Sequence, residues 1–182
     1  MRDDPEGASD LAKRLLSPLG DRWRHVQAVA ARAAEISHVV GAEDRELLVD
    51  AAWLHDLGYA PELRETGCHP IDGARYLERE GWPARLVALV AHHSGARVEA
   101  DVRGLAEELN PYQLEEGPVM DALVYADMTT GPQGQPLTFS ERIGEILSRY
   151  PVGSEVNEAI TQALPILVVH VARVEARLRA AS

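Results

Sequence analysis

The chain's 182 residues suffice for one sizeable core, and no Ser-, Gly- or charge-rich linker divides them, so a single domain is expected. Apolar residues make up 46% and aromatic ones only 5%, with Ala, Leu, Val, Arg and Glu prominent, a composition that favours helix over sheet and an all-α fold. A formal net charge of -11 argues against a nucleic-acid polymer or an anionic membrane as partner, because both are bound through clustered Lys and Arg; a small anionic substrate, held by local arginines or a metal, is compatible with it.

Residues 1–8 read as a disordered lead-in and 9–182 as the domain. "SDLAKRLLSPL" has helical periodicity, with Ser9 as the expected cap and Pro18 as the stop. From Asp21, "DRWRHVQAVAARAAEISHVVG" predicts a long helix ending at Gly41, with His25 in its first turns. "EDRELLVDAAWLHDLG" predicts the next, closed by Gly58 and Pro61, so His55 and Asp56 occupy a helix C-terminus. "HPIDGARYLEREG" opens with a proline at a helix-permitted position, and "ARLVALVAHHSG" follows Pro83. His69 therefore begins one helix and His92 ends another.

Further helices are expected over "EADVRGLAEELN" and "GPVMDALVYADMTTG", with Asp127 near the end of the second. Thr129, Thr130 and "GPQGQP" read by default as an ordinary surface loop, with lining of a site mouth beside Asp127 as the alternative. "TFSE" at 138–141 is a capping box opening a helix that reaches Tyr150. The last helix starts near Ser154, with a bend expected at Pro165. Eight or nine helices and no strand are expected. A lone cysteine, Cys68, excludes an internal disulfide and fits a reducing compartment. No signal peptide opens the chain and no apolar run is read as a membrane span, so a cytoplasmic protein is expected.

Six metal-competent side chains fall at helix ends or on apolar helices: His25, His55, Asp56, His69, His92 and Asp127. A polar, titratable pair such as His55-Asp56 is costly in an apolar setting unless something occupies both groups. Imidazoles and carboxylates on separate helices can converge on a metal inside a bundle. Adjacent helical residues diverge by about 100°, so the Asp56 carboxylate could bridge two ions while His55 binds one.

His25, His55-Asp56 and Asp127, in that order, resemble the HD-domain superfamily of metal-dependent phosphohydrolases. "RWRHVQAVA", "AAWLHDLG" and "ALVYADMT" are similar to its three signature segments, over roughly residues 20–130. "HPIDGARYL" and "LVALVAHHSG" resemble the extra histidine segments of the two-metal subgroup.

The resemblance implies an HD-type helical bundle binding one or two divalent ions (Fe, Mn, Co, Ni, Zn or Mg). His25, His55, Asp56 and Asp127 would hold the first, and Asp56, His69 and His92 the second, with His93 as alternative ligand or substrate contact. His69 follows Asp56 by only thirteen positions, so the second ion depends on that connection folding back. The resemblance also implies hydrolysis of a phosphate ester or anhydride of a nucleotide or other small metabolite, through metal-activated water. Asp56, His92 and Arg22 are expected to be catalytic. Arg22, His93 and Arg97 are expected to contact substrate, with Arg142 a further candidate. The same ligand set is similar to that of HD-related di-iron oxygenases, and an HD fold can also serve as a non-catalytic ligand sensor. His38 and His170 are expected to be structural or exposed.

Overall fold

The computed structural model describes residues 6–181. Its elements are the α-helices α1 (Ala8–Leu16), α2 (Asp21–Glu35), α3 (Arg45–Leu54), α4 (His69–Arg79), α5 (Ala84–His92), α6 (Ala96–Val102), α7 (Pro118–Met128), α8 (Phe139–Arg149) and α9 (Glu155–Ala180), joined by short 3-10 turns. No strand occurs among the described residues, and the expected all-α bundle is what forms.

Most expected elements are present, the long last helix with Pro165 among them, with three local differences. Residues 1–5 of the expected lead-in lie outside the described residues; α1 starts at Ala8 with Gly7 as its cap, so Ser9 is helical and caps nothing. The helix carrying His25 stops at Glu35, six residues before Gly41, and a 3-10 turn over Ser37–Val39 follows. "EADVRGLAEELN" is not one helix: α6 ends at Val102, Gly104 turns the chain with a positive φ of 70°, and a separate 3-10 turn covers Ala106–Leu109. α9 continues from Glu155 to Ala180 with Pro165 inside it.

The helix α7 is central. Every residue from Val119 to Met128 is buried, as expected of a helix that is apolar all round, and it lies against α2, α3, α8 and α9. Its neighbours supply one apolar cluster, with Val29, Leu48, Leu123, Ile143, Leu167 and Val174 among its members. A second cluster gathers α1, α4 and α5 around residues such as Leu16, Leu57, Ile71, Leu77 and Val90. The ends of α3, α4, α5 and α7 meet the start of α2 between these two bodies.

α9 also differs from expectation in hydropathy. It is long and apolar enough to cross a membrane by length and composition, with 33% of its most apolar window buried. Ala159, Ala163, Leu167, Val171 and Val174 form the buried stripe, at the helical spacing that seats one face on a core.

Candidate metal centre

Four helix termini and one helix side deliver the polar cluster. His25 projects from the second turn of α2, His55 and Asp56 stand immediately past Leu54 at the end of α3, His69 opens α4, and Asp127 closes α7. On the fifth segment it is the alternative, His93, and not His92, that faces the cluster. His92 turns away, its Nε2 donating to the Tyr112 carbonyl at 2.9 Å, and His93 enters the cluster, with its Nε2 3.3 Å from His69 Nε2. The reason is local. α5 ends at His92, His93 leaves the helix with φ -63° and ψ 154°, and the next residue, Ser94, is left-handed at φ 45°. That break swings His93 inward.

The short connection from Asp56 to His69 does fold back. Gly58 and Gly73 face each other at backbone distance: a Cβ on Gly58 would lie 2.0 Å from the His69 carbonyl oxygen and 2.7 Å from the Gly73 nitrogen. Asp72, in the first turn of α4, accepts hydrogen bonds from Thr66 N (2.8 Å), Thr66 Oγ1 (2.7 Å) and Gly67 N (3.0 Å), which pins the loop. His69 Nε2 thereby reaches 3.4 Å from Asp56 Oδ1. Tyr59 stacks on the His69 ring at a centroid distance of 4.1 Å and carries the Arg22 guanidinium on its own ring, 3.9 Å from centroid.

Asp56 is the hub. Its Oδ2 lies 3.7 Å from His25 Nε2 and 3.3 Å from His55 Nε2 and is paired with Arg22, while its Oδ1 faces His69. Asp127 Oδ1 lies 3.1 Å from His25 Nε2, and its Oδ2 accepts from the Ser94 hydroxyl at 2.5 Å. Burial alone favours a neutral acid at both carboxyls. At Asp56 it is outweighed by Arg22, His55 and His69, which hold the group well below the usual carboxylate range. At Asp127 it is outweighed by His25, His55 and Arg142, again lowering the group. Burial pushes the His69 and His93 imidazoles down. It acts the same way on His55, but the neighbouring Asp56 carries that ring up instead.

The histidines fit a metal by their second nitrogens. His25 Nδ1 is 3.0 Å from the Gly131 carbonyl, His55 Nδ1 is 2.8 Å from Ala52 O, and His93 Nδ1 is 2.7 Å from Val90 O. A carbonyl can only accept, so each Nδ1 carries a proton, and the nitrogen left to offer a lone pair to a cation is the Nε2 that faces the cluster. His55 Nε2 is buried without a hydrogen-bond partner, an orphan that a cation would satisfy. Two groups have ligand atoms all within 4.8 Å of one another: His25, His55 and Asp127, and His55, Asp56 and His93. This donor set of imidazole nitrogen and anionic carboxylate oxygen suits a divalent transition metal.

His92 has the opposite tautomer logic, since its Nε2 is spent on Tyr112 and its Nδ1 is buried and unpartnered. It belongs to the packing around Tyr112. Arg97 also lies elsewhere, beside a separate cavity with Asp101 and Asn110. Arg22 and Arg142 line the cavity over the cluster, together with Arg149, Glu99 and Tyr150, which sequence reading left out. The residues after Asp127 are no mere surface loop: Thr129 and Thr130 are buried, their hydroxyls donating to the Tyr125 and Ala126 carbonyls at 2.7 Å each, and Gly131 supplies the carbonyl that orients His25. Of the two remaining histidines, His38 is exposed and His170 pairs with buried Asp121 at 2.7 Å.

The family model of the HD domain matches residues 22–128, more than half of the chain. The matched span runs from Arg22 to Met128 and so includes every side chain of the cluster, whereas α1, α8 and α9 lie outside it. No curated protein and no solved structure matches significantly.

Proposed function

This chain belongs to the HD-domain family, and on that premise we propose that it is a metal-dependent phosphohydrolase acting on a phosphate ester or anhydride of a small metabolite, with nucleotides among the candidates. The observation that carries the reading is the convergence of three Nε2 lone pairs, each oriented by an Nδ1 hydrogen bond to a backbone carbonyl, on two buried carboxylates. His25, His55, Asp56 and Asp127 would hold one ion, and Asp56, His69 and His93 a second. Bound divalent metal supplies Lewis acidity toward a phosphoryl oxygen and an activated water as nucleophile.

The chain's own residues do the rest. Asp56 stands between the two histidine groups and positions both. The Ser94 hydroxyl fixes one oxygen of Asp127, and the other faces His25 Nε2, the two atoms that a shared cation would join. Arg22, held over Tyr59, keeps a guanidinium beside Asp56, where it offers planar N–H donors to a phosphate oxygen. Among the described residues no cysteine lines the cavity, and its serine, Ser94, donates its hydroxyl to Asp127 and not to a histidine, which suits direct attack by water.

The test is phosphate release from a panel of phosphomonoesters, nucleotides and dinucleoside polyphosphates, with Mn, Fe, Co, Ni, Zn and Mg supplied separately. Metal-dependent release that Asp56→Ala abolishes is the expected result. Iron-dependent oxygen consumption without phosphate release would replace this reading with oxygenase chemistry. A protein that binds no metal, and whose stability Asp56→Ala leaves unchanged, would replace it with a non-catalytic role.

A further inference from the structure

The family match ends at residue 128, yet part of the cavity wall comes from beyond it. α8 opens with a complete capping box: Thr138 Oγ1 accepts from Glu141 N at 3.2 Å, and the Glu141 carboxylate accepts from Thr138 N at 2.7 Å. This cap fixes where the helix begins and hence which face meets the cluster. Positions 142, 146 and 149 share that face at helical spacing, and all three line the cavity.

Two of them are arginines under tension between burial and charge. Arg142 is only 5% exposed; one of its terminal nitrogens pairs with Glu145, and its Nε is buried without a hydrogen-bond partner. A buried, unsatisfied N–H is costly, and an acceptor carried into the cavity that Arg142 lines would relieve that cost. Arg149, two turns along, pairs with the other oxygen of Glu145 at 3.2 Å and lies 5.0 Å over the Tyr150 ring. One glutamate thus orders two guanidinium groups and leaves this wall with a net positive charge, facing the cavity that Arg22 also lines.

Size and polarity narrow the ligand. The cavity measures about 100 Å³, well under the roughly 300 Å³ at which pockets begin to enclose drug-sized molecules. Ile146, Val156 and Ile160 make the part of the wall from α8 and α9 beside the arginines apolar, while Tyr59, Ser94, Glu99 and Tyr150 are polar groups elsewhere in the lining. Resting on the phosphohydrolase reading, we infer that Arg142 and Arg149 are its specificity residues, seating the phosphoryl group of a small phosphomonoester in preference to a nucleoside polyphosphate.

The test uses the metal-loaded 182-residue chain and Arg142→Gln and Arg149→Met, with thermal midpoint and metal content as controls. Arg149 is the safer variant, since its side chain is 36% exposed. Calorimetric titration with inorganic phosphate is expected to show binding weakened roughly ten- to a hundredfold in each variant, the loss of a hydrogen bond to a charged group, with metal content unchanged. KM for short alkyl and aryl phosphates should rise in parallel. Unchanged phosphate affinity in a folded, metal-replete Arg149→Met overturns the assignment, as does a higher kcat/KM for nucleoside triphosphates than for the small esters. Arginine-dependent phosphate binding without release from any ester overturns the hydrolase reading and leaves the two arginines as an anion site.

Discussion

At the scale of single residues the site is decided by which nitrogen of each imidazole is free. His92 and His93 are neighbours of identical composition and similar burial, yet one spends its Nε2 on a carbonyl and the other directs it at His69. His93→Ala is therefore expected to lower bound metal and to cut activity by at least about a hundredfold, more than the ten- to hundredfold typical of the groups that merely orient ligands. His92→Ala should leave metal content intact and cost about 1 kcal/mol, a lost internal hydrogen bond. Metal analysis and urea melts on the pair separate the two assignments; equal metal loss in both would return His92 to the site. Cys68 supplies a second residue-scale expectation. It is fully buried, and burial pushes its thiol up to about 12, so the reactive thiolate is scarce at neutral pH. Iodoacetamide at pH 7.5 should label the native protein far more slowly than the urea-unfolded one. The sign for stability follows: above the ordinary thiol pKa the folded state binds the extra proton, so this group's contribution falls as pH rises from about 8.5 toward 12.

At the scale of elements, helix ends do most of the positioning, because a terminus can place a side chain at a point that a helix side reaches only by facing it. The meeting of the turn after Asp56 with α4 is the critical join. Gly58 reads in the sequence as a helix stop, but its φ is not in the left-handed region and its need is space: a Cβ there would collide with backbone, which has no rotamer to yield. Gly58→Ala is expected to destabilise the fold by about 1–3 kcal/mol, the usual cost of forcing atoms into a packed site. By moving His69 away from Asp56 it should also lower metal stoichiometry. A denaturation midpoint and metal content both equal to the parent's would show that the α4 backbone can retreat. The capping box of α8 was legible as "TFSE", whereas the turn at Ser94 was not, since a serine at φ 45° follows no local rule.

Across the whole molecule, α9 is the part whose role depends most on context. By composition it passes for a membrane span, but its Leu167 is fully buried against the body that also contains α7, and Gly95 approaches Ala163 so closely that a Cβ on the glycine would lie 2.9 Å from that side chain. Leu167→Ala is expected to cost about 2–5 kcal/mol, as truncations in a tight core do. A thermal midpoint equal to the parent's would mean that α9 does not pack as described. The sequence by itself determined the all-α class, nearly every helix, and five ligand candidates that the fold brings together: His25, His55, Asp56, His69 and Asp127. These were legible because helical periodicity, caps and paired polar residues on apolar runs are local properties, written within one or two turns of chain. Tertiary structure alone decided that His93 and not His92 faces the cluster, that Arg97 stands apart while Arg149 lines the cavity, and that Gly131 orients His25. Each of those depends on a bend, or on contact between segments far apart in the chain, and no spacing along the sequence records where such a bend points a side chain.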